Sequence, residues 1–472
     1  MRSRPLSIAY IVRDPLPPRR ADVLTLFGAE LPRHGVHAEL VGQAGPDAAD
    51  GPDGPDGTDD TDGTGSTGQP DRGGMQVVGR LGSRFAAVFS PFWDVLGLLR
   101  AWRRVRPGCI QVRDKIASAF VAWLAARLLG VPFVYWMSFP IVEGFEVRRD
   151  AIGKRGRGAL WLAHALRAQA ARLLGVPFVY WMSFPIVEGF EVRRDAIGKR
   201  GRGALWLAPA LRAQASRLLL YRLVLPRADH VFVQSEAMRV WLAGRGIAPG
   251  RMTAVPMGVD SALFERSAIA PSSDPRLDGR RVVLYLGSVA QSRQSGFLLD
   301  VALLLRARLP EVLLVIAGDA PSLDEMAWMR REIASLKLDR HVLLTGWLPQ
   351  REALGYAVRA EVGLSPIPRG VLFDVSSPTK LVEYLALGLP SVANDIPDQA
   401  LVLEESGAGL CVPMQAEAFA EATLRLLDDR ALAAGVAARG PPWVRAHRSY
   451  AILGRKVAQV YSAICPPCGP IR

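Results

Sequence analysis

Lys380 and Glu383, two charged side chains three residues apart, carry the most specific chemistry in the sequence. They stand in DVSSPTKLVEYLALGLPSVAND (374–395), where Ser377 suits a helix cap, Pro378 the first helical position, and Gly388 with Pro390 a sharp stop. These signals predict about ten helical residues, placed directly after a strand at 362–367. The amino end of that helix would present free N–H groups at the carboxyl edge of a parallel sheet, a setting that attracts phosphate. Lys380, in the first turn, can meet a phosphate as a point charge, and Glu383, on the same face, can accept two sugar hydroxyls. The competing reading is an i,i+3 ion pair on a wet surface, worth roughly a few tenths of a kcal/mol.

The elements that must position these residues alternate between strand and helix along the whole chain. Strands are expected at 6–12, 37–42, 109–113, in VPFVYW, at 230–235 and from 252, with helices at 21–33, 89–103 and 116–129 between them. After a polar stretch at 274–278 a second series begins, with strands at 282–287, 312–318, 341–346, 362–367 and 391–395 and helices at 298–308, 323–336 and 351–359. The pattern is α/β, with two Rossmann-like doubly wound parallel-sheet domains facing a cleft. Residues 1–262 form the first and 263–440 the second, Gly258 reads as the pivot, and 441–472 holds a helix returning to the first domain plus a Pro/Cys tail. Ligand loops belong at the carboxyl ends of the strands on both sides. The turn RDPLPPRRAD sets Arg19 and Arg20 among such loops, although turn arginines are often only solvated.

The formal charge is +13. Residues 44–74 hold eight Asp and one Arg and read as a disordered acidic loop, which leaves +20 on the rest. So basic a body suits nucleic acid, an anionic membrane face or a phosphorylated small molecule. No zinc-finger spacing, basic zipper or aromatic RNA-binding signature supports nucleic acid, so a nucleotide substrate and a membrane surface are the economical partners. The DDTD string resembles a metal-binding Asp-x-Asp, but low complexity produces such strings freely, and no metal is expected. Cys109, Cys411, Cys465 and Cys468 are too scattered for a disulfide framework, which suits a cytoplasmic protein, and the CPPC near the end lacks a second ligand pair. The apolar run after MRSRP is too short for a signal peptide, and Arg127 with Pro132 argues against a membrane span at 116–138.

Residues 126–170 and 171–215 are a tandem copy differing only at His164 against Pro209. So close a match reads as a recent in-frame duplication rather than a solenoid. Two identical VPFVYW strands then compete for one slot, and a parallel sheet of fixed order cannot readily take an extra interior strand. One copy is expected to be paired centrally in the sheet, with about 45 residues extruded or packed outside it.

VPMGVD, YLGS with Arg293 six residues after Gly287, VIAGD, TGW, SPTKLVEYLALGLPSVAND and WVRAHRSYAILGRKVAQVY together resemble the retaining, nucleotide-sugar-dependent glycosyltransferases of family four (group 1), which have the GT-B fold. The resemblance implies transfer from a nucleoside diphosphate sugar, with Arg293 and Lys380 on the donor diphosphate, Glu383 on the ribose, and Ser376, Ser377 and Thr379 cradling phosphate. Gly287 and Ser288 stand where the family often has Gly-Arg. Val375 replaces the first Glu of its Glu-x7-Glu pattern, with Asp374 adjacent. Ser138, or its copy Ser183, lies near the family's amino-domain His. Family chemistry needs no cofactor beyond the nucleotide sugar, and the leaving phosphate itself would take the acceptor proton. A lipid-linked or glycan acceptor would meet the first domain, whose basic helices suit peripheral attachment to the inner face of the membrane. Trp347 reads either as a packed core aromatic or as a border to the nucleobase. A sugar-nucleotide epimerase and an inactive GT-B scaffold are the rival functions.

Overall fold

The computed structural model describes residues 5–44 apart from 19 and 21, 74–80, 86–138, and 218–465 apart from 321. Nearly all of the acidic segment, Arg19, Ser183, the second repeat copy and Cys468 lie outside the described residues.

The described chain forms two parallel sheets. The first runs in the order β3-β2-β1-β4-β5-β6-β7, built from β1 (Leu6–Ile11), β2 (Val36–Ala44), β3 (Met75–Arg80), β4 (Cys109–Arg113), β5 (Phe133–Met137), β6 (His230–Val233) and β7 (Met252–Ala254). The second runs β10-β9-β8-β11-β12-β13, from β8 (Arg281–Leu286), β9 (Val312–Ala317), β10 (Val342–Gly346), β11 (Val362–Ser365), β12 (Ser391–Asn394) and β13 (Gly409–Val412). Both orders are doubly wound, reversing between β1 and β4 and between β8 and β11, and a crevice opens at the carboxyl end of each reversal. The central strands are apolar on both faces because helices cover both sides.

β5 is the VPFVYW strand of the first repeat copy. It pairs with β4 through Val134↔Gln111 and with β6 through Val134↔His230. Both of its edges are taken by described strands, and the second copy of the expected competition lies outside the described residues.

Five helices of the first domain, one of the second and two near the carboxyl terminus matter for the site. α1 (Asp22–Glu30) is wound as a π-helix, α2 (Ala86–Val105) and α3 (Ile116–Leu129) are regular, α4 (Leu218–Val224) is again π-wound, and α5 is Glu236–Ala243. α6 (Thr379–Ala386) is the predicted short helix, shorter than the ten residues expected. α7 (Arg430–His447) is followed by α8 (Tyr450–Ile464), which packs back on the first domain. Leu453, Val457 and Tyr461 of α8 share a core with Ile8, Tyr10, Phe27 and Trp136, and Cys465 packs in the same core as Cys109.

The chain crosses between the domains twice, side by side. Val259 donates its N–H to the Arg448 carbonyl at 2.9 Å, and Tyr450 donates to the Val259 carbonyl at 3.0 Å. Gly258 is required here, since a Cβ would lie 2.6 Å from the Arg448 carbonyl oxygen.

Candidate functional site

α6 begins one residue later than its sequence suggests. Pro378 takes the cap position with no side-chain cap bond, Thr379 is first in the helix, and Gly388 ends the segment at a φ of +62°. Ser377 does not cap because its hydroxyl is engaged elsewhere. It donates to Asp398 Oδ2 at 2.7 Å while accepting from the Met257 N–H at 3.0 Å and Arg448 Nη1 at 3.3 Å. Arg448 closes the cluster through Nη2 on Asp398 Oδ1 at 2.8 Å, and all three side chains are buried. One buried ion pair thus ties the loop before α6 to the interdomain crossing. Neither Asp398 nor Arg448 was singled out from sequence, since an Asp in NDIPDQ and an Arg in WVRAHRSY carry no mark of their partners.

Lys380 is buried, which excludes the surface ion pair as its role. Its Nζ lies 4.1 Å from the centre of the Tyr285 ring and makes no hydrogen bond to the described residues. Burial first, then the Arg293 guanidinium, drives its pKa well below the ordinary lysine value, with Glu383 pulling the other way. Arg293 closes a short turn after β8, and burial lowers its pKa too. Burial raises Glu383 to about 7 against the pull of Lys380. The three groups therefore share one poorly solvated region at the β8–β11 switch point.

Backbone geometry keeps that region open. Gly287, at φ +147°, would place a Cβ 3.3 Å from Lys380 Nζ. Gly318, at φ +154°, would place one 2.2 Å from the Gly287 carbonyl oxygen. The Gly287 N–H still reaches the Ala317 carbonyl at 3.0 Å, so the two strand ends are in contact. Ser288 follows at half exposure, its carbonyl accepting from the Tyr285 hydroxyl at 3.3 Å.

The rest of the predicted phosphate loop has other engagements. Ser376 donates to the Phe373 carbonyl at 2.6 Å. Asp374 is held by Arg369 Nε at 2.9 Å. Val375, which replaces a family Glu, packs in the first domain's core, and its carbonyl accepts from Ser235 Oγ at 2.6 Å. The core reading of Trp347 fails, because this side chain is 73% exposed just beyond β10.

Across the crevice, a polar cluster sits at the β1–β4 switch point. Arg113 is buried and donates to Asp22 Oδ2 at 2.6 Å, Ser138 Oγ at 2.9 Å and Tyr10 Oη at 3.4 Å. Ser138 bonds to Asp114 as well, through its N–H at 2.9 Å and through its hydroxyl. Arg20 pairs with Asp22 at 3.1 Å. Burial alone would raise Asp22, but Arg113 and Arg20 hold it well below the carboxylate range; at Asp114 burial wins and the pKa rises. Arg20 and Ser138 are thus joined by one network. Tyr450 lies between the two sides, its buried hydroxyl feeling the carboxylates of both Asp22 and Glu383. Among the described residues no group of three or more His, Cys, Asp or Glu is placed to hold a metal.

Comparison with known proteins agrees with this geometry. Residues 280–429 match the family model described as Glycosyl transferases group 1, and residues 157–258 the one described as Glycosyl transferase 4-like domain. The phosphatidyl-myo-inositol mannosyltransferase of Mycolicibacterium smegmatis is 30% identical over 213 residues, 44% of this chain and 51% of that protein. The alpha-D-kanosaminyltransferase of Streptomyces kanamyceticus is 27% identical over 189 residues, 40% and 47%. The chain spans about half the length of the curated relatives it matches. Among solved structures, the sucrose-phosphate synthase of Thermosynechococcus elongatus aligns with a TM-score of 0.59 at 17% identity, over 97% of this chain and 98% of that one. Anabaena HepE in complex with UDP aligns at 0.58 and 13%, over 97% and 100%. At such identity these two show the fold, which is GT-B.

Proposed function

We propose that this chain, which carries group 1 glycosyltransferase domains on a GT-B fold, moves a sugar from a nucleoside diphosphate sugar to a lipid-linked or polysaccharide acceptor with retention at the anomeric carbon. The observation that carries the reading is the buried Lys380 ammonium, without a hydrogen bond to any described group, beside a second cation and the start of α6. Two cations sharing a poorly solvated region repel each other, and a dianion placed between them offsets the cost. A pyrophosphate at the amino end of a helix meets that description.

As the bond from the anomeric carbon to the leaving oxygen breaks, negative charge builds on the diphosphate. Arg293, Lys380 and the α6 N–H groups would stabilise that charge, in the role a divalent ion plays elsewhere. Glu383 would hold the ribose hydroxyls as a carboxylate, and exposed Trp347 would border the base. The acceptor hydroxyl would pass its proton to the leaving phosphate oxygen on the same face of the sugar, so that retention needs no protein base. Arg20 and Ser138, on the opposite wall, would face the acceptor.

The name of the mycolicibacterial relative, a mannosyltransferase of phosphatidyl-myo-inositol, supports a lipid-borne acceptor. No described helix is long and apolar enough to cross a membrane. The reading places the chain in the cytoplasm, peripheral on the inner membrane face. The test is a panel of nucleoside diphosphate sugars scored for nucleoside diphosphate release, with and without membrane lipid extract, on the wild type and Lys380→Ala. Release from at least one donor, lost in the variant, is expected; donor binding with no release from any of them would refute transfer and favour a scaffold.

A further inference from the structure

The outer surface of one helical layer carries large apolar groups and a single sign of charge. α2, α3 and α4 pack over one face of the first sheet and share its core through Leu98, Ala119, Ala122 and Leu220. On their outer side Phe92 is 62% and Leu128 88% exposed, and Leu99, Leu124, Leu218 and Leu223 are exposed as well. These positions form stripes. Phe92, Leu99 and Arg103 follow one another at i, i+7 and i+11 along α2, and Leu124 and Leu128 at i, i+4 along α3.

Every charged side chain exposed on α2, α3, α4 and the short turn Leu225–Arg227 is an arginine. The acidic residue among them, Asp94, is buried and bound by Lys115 at 2.8 Å and Ser118 at 2.6 Å. Glu39 and Asp229, on neighbouring strands and turns, pair with Arg104 and Arg127 at the margins. Arg100, Arg103 and Arg222 stand among the leucines with no exposed acidic residue on their own helices to answer them.

A partner for this surface must accept bulky apolar side chains and meet guanidinium groups with negative charge over the same area. A bilayer containing anionic phospholipid does both, acyl chains taking the leucines and headgroup phosphates the arginines. We infer that the α2–α3–α4 layer docks the first domain on an anionic phospholipid surface. Both α2 and α3 start at the carboxyl edge of the sheet, so the docked chain holds the mouth of the crevice near headgroup height. This would deliver a lipid-borne acceptor to the transfer reaction proposed above, but the docking face rests on its own side chains and is read without turnover.

The experiment is co-sedimentation of the full chain with vesicles of phosphatidylcholine alone, or mixed equally with phosphatidylglycerol, at low and high salt. Binding to the mixed vesicles at low salt, weakened at high salt, is expected. Reversing two interfacial arginines in Arg100→Glu/Arg103→Glu should weaken partitioning about thirtyfold or more. Phe92→Ser/Leu128→Ser should weaken it while keeping its salt dependence. Arg330→Glu/Arg331→Glu, an equal charge change on an exposed helix of the second domain, should leave it unchanged. Thermal melts check that each variant folds, and donor turnover on a water-soluble acceptor is followed in parallel. Absence of binding to mixed vesicles, or equal loss in the second-domain control, would overturn the assignment even where turnover persists.

Discussion

The ammonium of Lys380 lies 4.1 Å from the centre of the Tyr285 ring, packed on its π-face where a phosphate-binding lysine would usually meet an anion. The contact keeps a cation in a buried position, at the cost of a depressed pKa. An arriving diphosphate raises that pKa again, so donor binding and protonation of the amine are coupled.

Lys380→Met separates catalysis from stability. Loss of one charge-stabilising group should slow turnover by about 10² or more. The melting temperature should not fall, because an apolar side chain replaces a desolvated cation that lacks a hydrogen bond. Steady-state rates and a thermal melt check the pair of outcomes.

The raised pKa of Glu383, about 7, sets a pH dependence. Above it the carboxylate can accept ribose hydroxyls, and below it a proton takes one of those sites, so the donor KM should climb as pH falls through 7. Stability runs in the opposite sense. A carboxyl whose folded pKa exceeds its unfolded value contributes stability at acidic pH and loses it as pH rises through the folded pKa. Glu383→Gln should therefore flatten both profiles, measured by donor titration and by melts between pH 5 and 8.

Gly318→Ala should remove donor binding while a glycine change on α7 of the same domain does not. The added methyl would sit 2.2 Å from the Gly287 carbonyl oxygen, in a backbone region costing about 1–3 kcal/mol for other residues. Gly435→Ala, with open space around its Cβ, is the control. Isothermal titration with a nucleoside diphosphate distinguishes the two.

The Asp398–Arg448 pair should behave as a buried brace. Removing one partner, as in Asp398→Ala, leaves an uncompensated guanidinium and should cost about 3–5 kcal/mol in denaturant unfolding. Joint replacement, Asp398→Leu with Arg448→Met, should recover much of that loss.

Deleting residues 171–215 should leave the fold intact. β5 of the first copy already lies between β4 and β6, so the shortened chain keeps its sheet. Its melting temperature should shift by less than about 4 °C, the scale of 1 kcal/mol for a domain of this size.

Much of this architecture was legible in advance, and particular residues show why. β4 at Cys109–Arg113 and α3 at Ile116–Leu129 fall where hydrophobic runs, an αL Gly130 and Pro132 set them, because such signals act within a few residues. The same kind of signal sets α6 to within a residue or two, and its start shifts by one because Ser377 bonds to Asp398 instead of capping the helix it precedes. The neighbours of Trp347 do not choose between its two readings, because exposure is a property of the assembled surface.

By itself the sequence determined the alternation of strands and helices, the two parallel sheets, and the pairing of Lys380 with Glu383 on one helical turn, since all of these follow from local spacing. Only the tertiary structure decided that Tyr285 lies beneath the Lys380 ammonium and that Arg448 reaches Ser377 across 71 residues. Those relations arise where distant strand ends converge and exclude water, and it is burial, absent from any single segment, that turns an ordinary lysine and glutamate into a shifted pair.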